Sequence, residues 1–415
     1  MPHAEPTLNK LTVHQESQPI LPRSVYCAAP WTLVYLRPDG FFSVCCRAKR
    51  TGLSISAKSV DEYWNGEEMR SLRVAMMNHS PPADICYNCI NNISTVKPAR
   101  LGYNERARAD MAEILASTQP DGTTSFRPNS LDIRTNLCNL KCRMCSAGSS
   151  SAIYSENIQN DVPVPALGPN AREEHKLSFG DDDLRRVKHL IWAGGEPFMS
   201  ATHWSIMESL VRLGNVDLSI WYNSNFTFPG NTYARAEQLL PKFSGVKIGA
   251  SIDAIGEDFD YLRDGASFEA VVGNILALRR AAPNLSISFD CTVTSLGLVG
   301  LEKLVRFCIA NRILMTCKTV VIPSTDWLSI NALKPEIVEA CLTEAVGACR
   351  GTPLQAAVTS FASHVRHNYH LSVPDFAACR SRERIRGREG YLEARIGESL
   401  NRADCSDPAS AAQEA

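Results

Sequence analysis

The sequence predicts an α/β protein whose main part is a parallel sheet with crossover helices. Between about 130 and 322, short apolar runs alternate with stretches of helical periodicity, the pattern of consecutive βα units. At 415 residues the chain is long enough for roughly two to three domains, and its 44% hydrophobic content is that of an ordinary globular protein. The runs also end in polar or glycine-containing motifs, so chemistry-bearing residues gather at strand C-termini.

The expected strands are 130–136, 187–193, 216–223, 246–253, 285–294 and 315–322, and helices are expected at 201–213, 231–240, 268–281 and 297–310. The last of these carries Leu301, Leu304, Val305 and Cys308 at helical spacing. The chain divides on composition into a polar, disordered leader (1–22), a cysteine-rich segment (23–95), a linker (96–128), the sheet region (129–323), a C-terminal helical region (324–397) and a disordered tail (398–415). Within the sheet region, the stretch 149–180 with its prolines and Gly168 reads as a lid or surface loop.

The stretch LDIRTNLCNLKCRMCSAG places Cys138, Cys142 and Cys145 in a Cys-x3-Cys-x2-Cys spacing. Three thiolates hold only three corners of a [4Fe–4S] cubane and leave one iron for a ligand from outside the chain. A zinc site, or a chance grouping in a chain with 15 cysteines, is the alternative, although zinc favours paired Cys-x2-Cys units. Further along, VKHLIWAGGEPFM reads as a buried strand ending in Gly194, Gly195, Glu196 and Pro197. Two glycines let backbone approach a ligand closely. A second strand ends in Asn223, Ser224 and Asn225, and a third in Ser251, Ile252 and Asp253, with Arg263 following.

These motifs, in this order, resemble the radical SAM superfamily, and the resemblance spans the sheet region. It implies a partial (β/α)6 barrel of the TIM type, with the chemistry at the C-terminal ends of the strands. It also implies S-adenosylmethionine (SAM) as the outside ligand of the cluster on Cys138, Cys142 and Cys145. Glu196 would accept from the SAM ammonium beside Gly194 and Gly195. Asn223, Ser224 and Asn225 would contact the ribose, while Ser251, Asp253 and Arg263 would serve ribose and carboxylate. Met144 would pack on the adenine.

The first hundred residues hold Cys27, then Pro38-Asp39-Gly40, then Cys45-Cys46, and finally Cys86-x2-Cys89. Runs 32–37 and 41–44 around the Pro-Asp-Gly turn read as a hairpin that brings Cys27 and Cys45 together. A helix over 59–77 presents Val60, Tyr63, Trp64, Leu72 and Met76 before a loop with Cys86 and Cys89. A structural zinc ribbon would use such loops too. The pattern resembles the twitch domain and its longer relative SPASM, through the Gly40-x4-Cys45 spacing and the Trp-Asn-x-Glu element at 64–67. The resemblance implies an auxiliary [4Fe–4S] cluster on Cys27, Cys45, Cys86 and Cys89, with Cys46 spare. Here the segment precedes the barrel, whereas in the best-known relatives it follows.

A formal net charge of −1 leaves no basic excess to attract nucleic acid or anionic lipid. No run approaches the ~20 apolar residues of a membrane span, so no membrane partner and a cytoplasmic location are expected. Fifteen cysteines then suit metal ligation in a reducing compartment. Cys291, Cys308, Cys317, Cys341 and Cys349 read as small buried hydrophobes, and His364 and His367 as a solvated helix face. Cys379 lies in a polar segment where it could line a pocket, and 382–388 is a solvated charge run.

The resemblance implies an enzyme that cleaves SAM to a 5′-deoxyadenosyl radical and abstracts hydrogen from substrate. It would draw electrons from an external one-electron reductant of flavodoxin or ferredoxin type. The expected outcome is two-electron oxidation of a small polar metabolite, an amino alcohol, cyclitol or sugar, with the auxiliary cluster as acceptor. The alternative is a peptide-modifying enzyme that cross-links or epimerises a ribosomal precursor.

Overall fold

The computed structural model describes residues 26–48, 56–57, 59–90, 99–168, 171, 177–320, 326–372 and 390–400. The leader 1–22, Cys379, the run 382–388 and positions 321–322 of the last expected strand lie outside the described residues. So does the tail from 401. At the start of the expected tail, Leu400 is buried and bridged to Leu333.

The strands are β1 (Leu33–Leu36), β2 (Phe42–Ser43), β3 (Ser130–Thr135), β4 (His189–Gly194), β5 (Ser219–Ser224), β6 (Gly245–Ala250), β7 (Ser286–Val293) and β8 (Met315–Thr319). They form one sheet in the order β2-β1-β3-β4-β5-β6-β7-β8. β1 pairs antiparallel with β2 and parallel with β3, and β3–β4, β6–β7 and β7–β8 are parallel. The α/β class is therefore as expected, and from β3 onward the strand order follows the chain, as in a partial barrel. Two strands exceed the six expected there, because the N-terminal hairpin joins the sheet: Leu33 to Leu36 lie in register with Ser130 to Ile133.

The chain falls into two compact units. One comprises Met1–Asn136, Ala166–Ile220 and Lys242–Gly245. In it the hairpin turns at Gly40, whose φ of +81° is a conformation that favours glycine. A Cβ there would also lie 2.2 Å from the Ala171 amide nitrogen. The helix expected over 59–77 is two, Val60–Trp64 and Glu67–Met77, broken where Gly66 takes an extended conformation as N-cap. Val60, Tyr63, Trp64, Leu72 and Met76 are all buried. So is Arg73, which donates to the carbonyls of Pro30 (2.9 Å), Trp64 (2.7 Å) and Gly122 (3.2 Å) and to Asn65 Oδ1 (3.0 Å). Burial pushes its guanidinium down to about 10, against the pull of Tyr63. The stretch 96–128 contains the helices Ala99–Ala107 and Met111–Ala116.

The other unit comprises Leu137–Pro165, Trp221–Pro241 and Val246–Ala415. In β7 the residues Ile287, Phe289, Cys291 and Val293 are buried, and Phe289 stacks on Phe307 of the helix Leu301–Ala310. The helix expected at 297–310 is preceded by a separate short one, Ser295–Val299, because Gly300 ends one and begins the next. The expected lid begins as a helix, Ser151–Gln159, capped by the Ser150 hydroxyl. Cys291, Cys308 and Cys349 are buried, Cys317 and Cys341 half-buried, and His364 and His367 exposed on the helix Gln355–Asn368. Among the described residues no helix is long and apolar enough to cross a membrane.

Candidate functional site

The loop that follows β3 carries Cys138, Cys142 and Cys145. Cys138 and Cys142 are buried around Leu140, with Met144 and Ala266 packed against them, while Cys145 is exposed. The loop is joined to the C-terminal end of the helix Glu257–Leu262 and the segment after it by two backbone hydrogen bonds: Arg143 N–H donates to Leu262 O (2.8 Å) and Lys141 N–H to Asp264 O (2.8 Å). Gly265 permits that approach, with φ of +100° and a notional Cβ only 3.2 Å from Leu140.

The buried sulfurs face N–H donors. Cys138 Sγ accepts from the Leu140 amide (3.4 Å) and Asn225 Nδ2 (3.8 Å). Cys142 Sγ accepts from Arg263 Nη1 (3.8 Å). Such donors favour thiolate over thiol. The hydrogen bond with Cys145, together with burial, pushes the Cys142 thiol up, and the same bond lowers Cys145. Arg263 is committed elsewhere as well, through Nε (2.8 Å) and Nη2 (2.7 Å) to Asp253 Oδ2. Asp253 is fully enclosed, and its other oxygen accepts from Thr292 N–H at 2.7 Å.

Asn225 is fixed by Thr227, whose amide and hydroxyl reach Oδ1 at 2.9 and 2.7 Å, and by Asn139 Oδ1, 3.2 Å from its Nδ2. The Ser224 carbonyl accepts from Ser251 N–H (2.9 Å), which ties the two strand ends. Asn223 instead points at Asp290 (2.7 Å), which also binds Lys318 (2.9 Å) and Thr316 (3.2 Å). This polar group was absent from the sequence reading, although Asp290, Thr316 and Lys318 alternate with the apolar residues of their strands.

Gly194, Gly195 and Glu196 belong to the first unit. Gly194 has φ of +92°, and a Cβ would lie 2.4 Å from Thr135 O, to which Gly195 N–H donates at 2.5 Å. Glu196 is fully buried and accepts from Phe198 N–H (3.2 Å), capping the turn Pro197–Met199.

In the same unit Cys27, Cys45, Cys86 and Cys89 line one cavity, together with Arg100 and Tyr103. Cys86 and Cys89 stand three apart on the helix Ala83–Ile90, where a loop was expected, so both lie on one helix face. Burial pushes the Cys27 thiol well up, Cys45 to about 12 and Cys86 to about 11. Neighbouring thiols raise all three further, so loading a metal or cluster must release protons. Among the described residues no three His, Cys, Asp or Glu side chains converge on a single metal ion.

Three residues of the expected linker frame this cavity. Asn104 is buried and clamps the backbone on both sides of Cys27, accepting from Ala28 N–H (2.8 Å) and donating to Tyr26 O (3.0 Å). Arg100 donates to the Cys89 carbonyl, and the Tyr103 hydroxyl lies 4.0 Å from Cys46. Arg100, Tyr103, Asn104 and Ala107 recur at helical spacing, the signal that would have revealed them.

Residues 27–90 match SPASM, an iron-sulfur cluster-binding domain. No curated protein is significantly similar to the chain. Solved structures similar to it include anSMEcpe with bound AdoMet, at 16% identity and TM-score 0.36 over 67% of each chain. The same protein with AdoMet and the Cp18Cys peptide gives 16% and 0.37, over 67% of this chain and 66% of that one. SuiB of Streptococcus suis bound to the precursor peptide SuiA gives 16% and 0.33, over 68% of this chain and 54% of SuiB.

Proposed function

We propose that this chain is a radical SAM enzyme with an auxiliary iron–sulfur domain at its N-terminal end. The loop of Cys138, Cys142 and Cys145 carries the reading: three thiols of which two are buried against N–H donors, a donor set that suits a cubane with one iron left for SAM. When bound and reduced, such a cluster supplies the electron that cleaves SAM to methionine and a 5′-deoxyadenosyl radical. The chain's own residues bind and orient. Glu196 is the acceptor for the SAM ammonium, Gly194 and Gly195 give backbone access, and Met144 supplies apolar surface for the adenine. Ser224, Asn225 and Ser251 offer polar atoms to the ribose, and Arg263 keeps N–H groups for the carboxylate, whereas Asn223 is turned to Asp290 and is left out of the expected ribose set. Turnover further requires that the substrate carbon be held near the radical and that competing hydrogen donors be excluded.

Cys27, Cys45, Cys86 and Cys89 fit a second cluster in the cavity they line. Four protein thiolates leave no position for substrate, which suits a group that accepts an electron from the substrate radical. The SPASM match supports the cluster-binding role of residues 27–90. Modification of a peptide and oxidation of a small polar metabolite are the two substrate readings that this arrangement serves.

The test is SAM cleavage by the anaerobically reconstituted, chemically reduced chain. We expect 5′-deoxyadenosine from the wild type, none from Cys145→Ala, and retained formation in Cys86→Ala/Cys89→Ala. A wild type with both clusters loaded and no 5′-deoxyadenosine would overturn the reading.

A further inference from the structure

We propose that Asp253 is a positioning residue that holds the Arg263 guanidinium against the Cys142 sulfur, and that this contact raises the reduction potential of the cluster on Cys138, Cys142 and Cys145. The inference rests on the proposed function for the presence of that cluster, and goes beyond it by assigning Arg263 to the thiolate and Asp253 to Arg263.

The geometry is specific. Arg263 follows the helix Glu257–Leu262 as its C-cap, with φ −111° and ψ 58°, and its amide donates back to Phe259 O at 2.8 Å. That exit aims the side chain at Asp253, where Nε and Nη2 both meet Oδ2. With those two nitrogens held, the guanidinium plane is fixed and Nη1 is left facing Cys142 Sγ at 3.8 Å. Asp253 cannot swing away, because it is enclosed and Oδ1 holds Thr292 N–H on β7. Cys142 cannot drift either: the backbone bonds of Lys141 and Arg143 to Asp264 and Leu262 flank it and Arg263 alike. Both ends of the Nη1 contact are thus anchored independently of it.

A cluster gains negative charge on reduction. A cation and N–H donor fixed beside one of its sulfurs stabilises the reduced form more than the oxidised one. An arginine guanidinium stays charged in proteins. Unpaired, a buried guanidinium would lose its fixed orientation, which is what Asp253 supplies.

The experiment is EPR-monitored potentiometry on the full reconstituted chain, following the signal that Cys145→Ala abolishes. The variants are Arg263→Gln, Arg263→Lys, Asp253→Asn and the Asp253→Asn/Arg263→Gln double. Arg263→Gln should lower the reduced-to-oxidised ratio at a fixed potential about tenfold, which is 59 mV for a one-electron couple, with iron content unchanged. Asp253→Asn removes an anion, which alone would raise the potential, together with the anchor of Arg263, so a shift in the same direction as Arg263→Gln reads the lost orientation. The double variant should go no further than Arg263→Gln alone, because the two residues act as one unit, and Arg263→Lys should recover only part of the shift. Unchanged potentials in Arg263→Gln overturn the contact. A normal or raised potential in Asp253→Asn alongside a lowered Arg263→Gln overturns the positioning role. Additive shifts in the double variant do the same. A wild type with no Cys145-dependent signal would instead remove the cluster reading itself.

Discussion

Replacing Glu196 separates two jobs that one carboxylate is proposed to do. In the structure its Oε1 caps the Phe198 amide, and in the proposed complex it accepts from the SAM ammonium. A charge-assisted hydrogen bond is worth about 1.5–3 kcal/mol and a neutral one about 0.5–1.5 kcal/mol. Glu196→Ala removes both contacts, so SAM affinity should fall roughly ten- to a hundredfold, and the lost cap should cost about 0.5–2 kcal/mol of stability. Glu196→Gln keeps an oxygen for Phe198 N–H and loses the charge. Because the cap is kept, its loss of stability should be smaller than that of Glu196→Ala, while SAM binding weakens roughly five- to fifteenfold. Equilibrium binding of SAM and a denaturant midpoint, measured on anaerobic protein of matched iron content, read the two effects apart. Wild-type SAM affinity in both variants would refute the assignment of the glycine–glycine–glutamate edge as the ammonium site.

Three further outcomes follow from packing in the first unit. Arg73→Met should destabilise by about 3–5 kcal/mol, because three backbone carbonyls and Asn65 lose their buried donor; a denaturant-midpoint loss under about 1 kcal/mol would contradict it. Asn104→Leu frees both backbone groups around Cys27. After gel filtration the iron content should drop toward about half while SAM cleavage continues, and full iron retention would count against the clamp. Gly194→Ala puts a Cβ 2.4 Å from Thr135 O at a positive φ, so thermal unfolding should show a loss of about 1–3 kcal/mol; an unchanged melting curve would show that the turn relaxes freely.

What was legible in the sequence is what depends on local pattern. Periodicity located the strands from β3 to β8, and cysteine spacing found both thiol groups, because a loop with Cys-x3-Cys-x2-Cys carries its geometry within a few residues. Pairings between distant segments were not legible. Leu33–Leu36 is apolar enough for either edge of a hairpin, and nothing local says that it lies along Ser130–Ile133. The pairing of Arg263 with Asp253 was equally hidden, since both were read as ligand contacts and only the fold turns them toward each other. The Asn104 clamp was missed because 96–128 was read as a linker, so its helical spacing was not used. At Asn65-Gly66 the apolar pattern continued through a break that only backbone geometry shows.

The central claim is that three cysteines hold one cluster and four hold another, and the most direct measurement is iron per chain after anaerobic reconstitution. The account predicts about eight irons in the wild type, about four when Cys138, Cys142 and Cys145 are all replaced by Ala, and about four in Cys86→Ala/Cys89→Ala. A wild-type value of about four, with tightly bound zinc retained on residues 27–90, would contradict it.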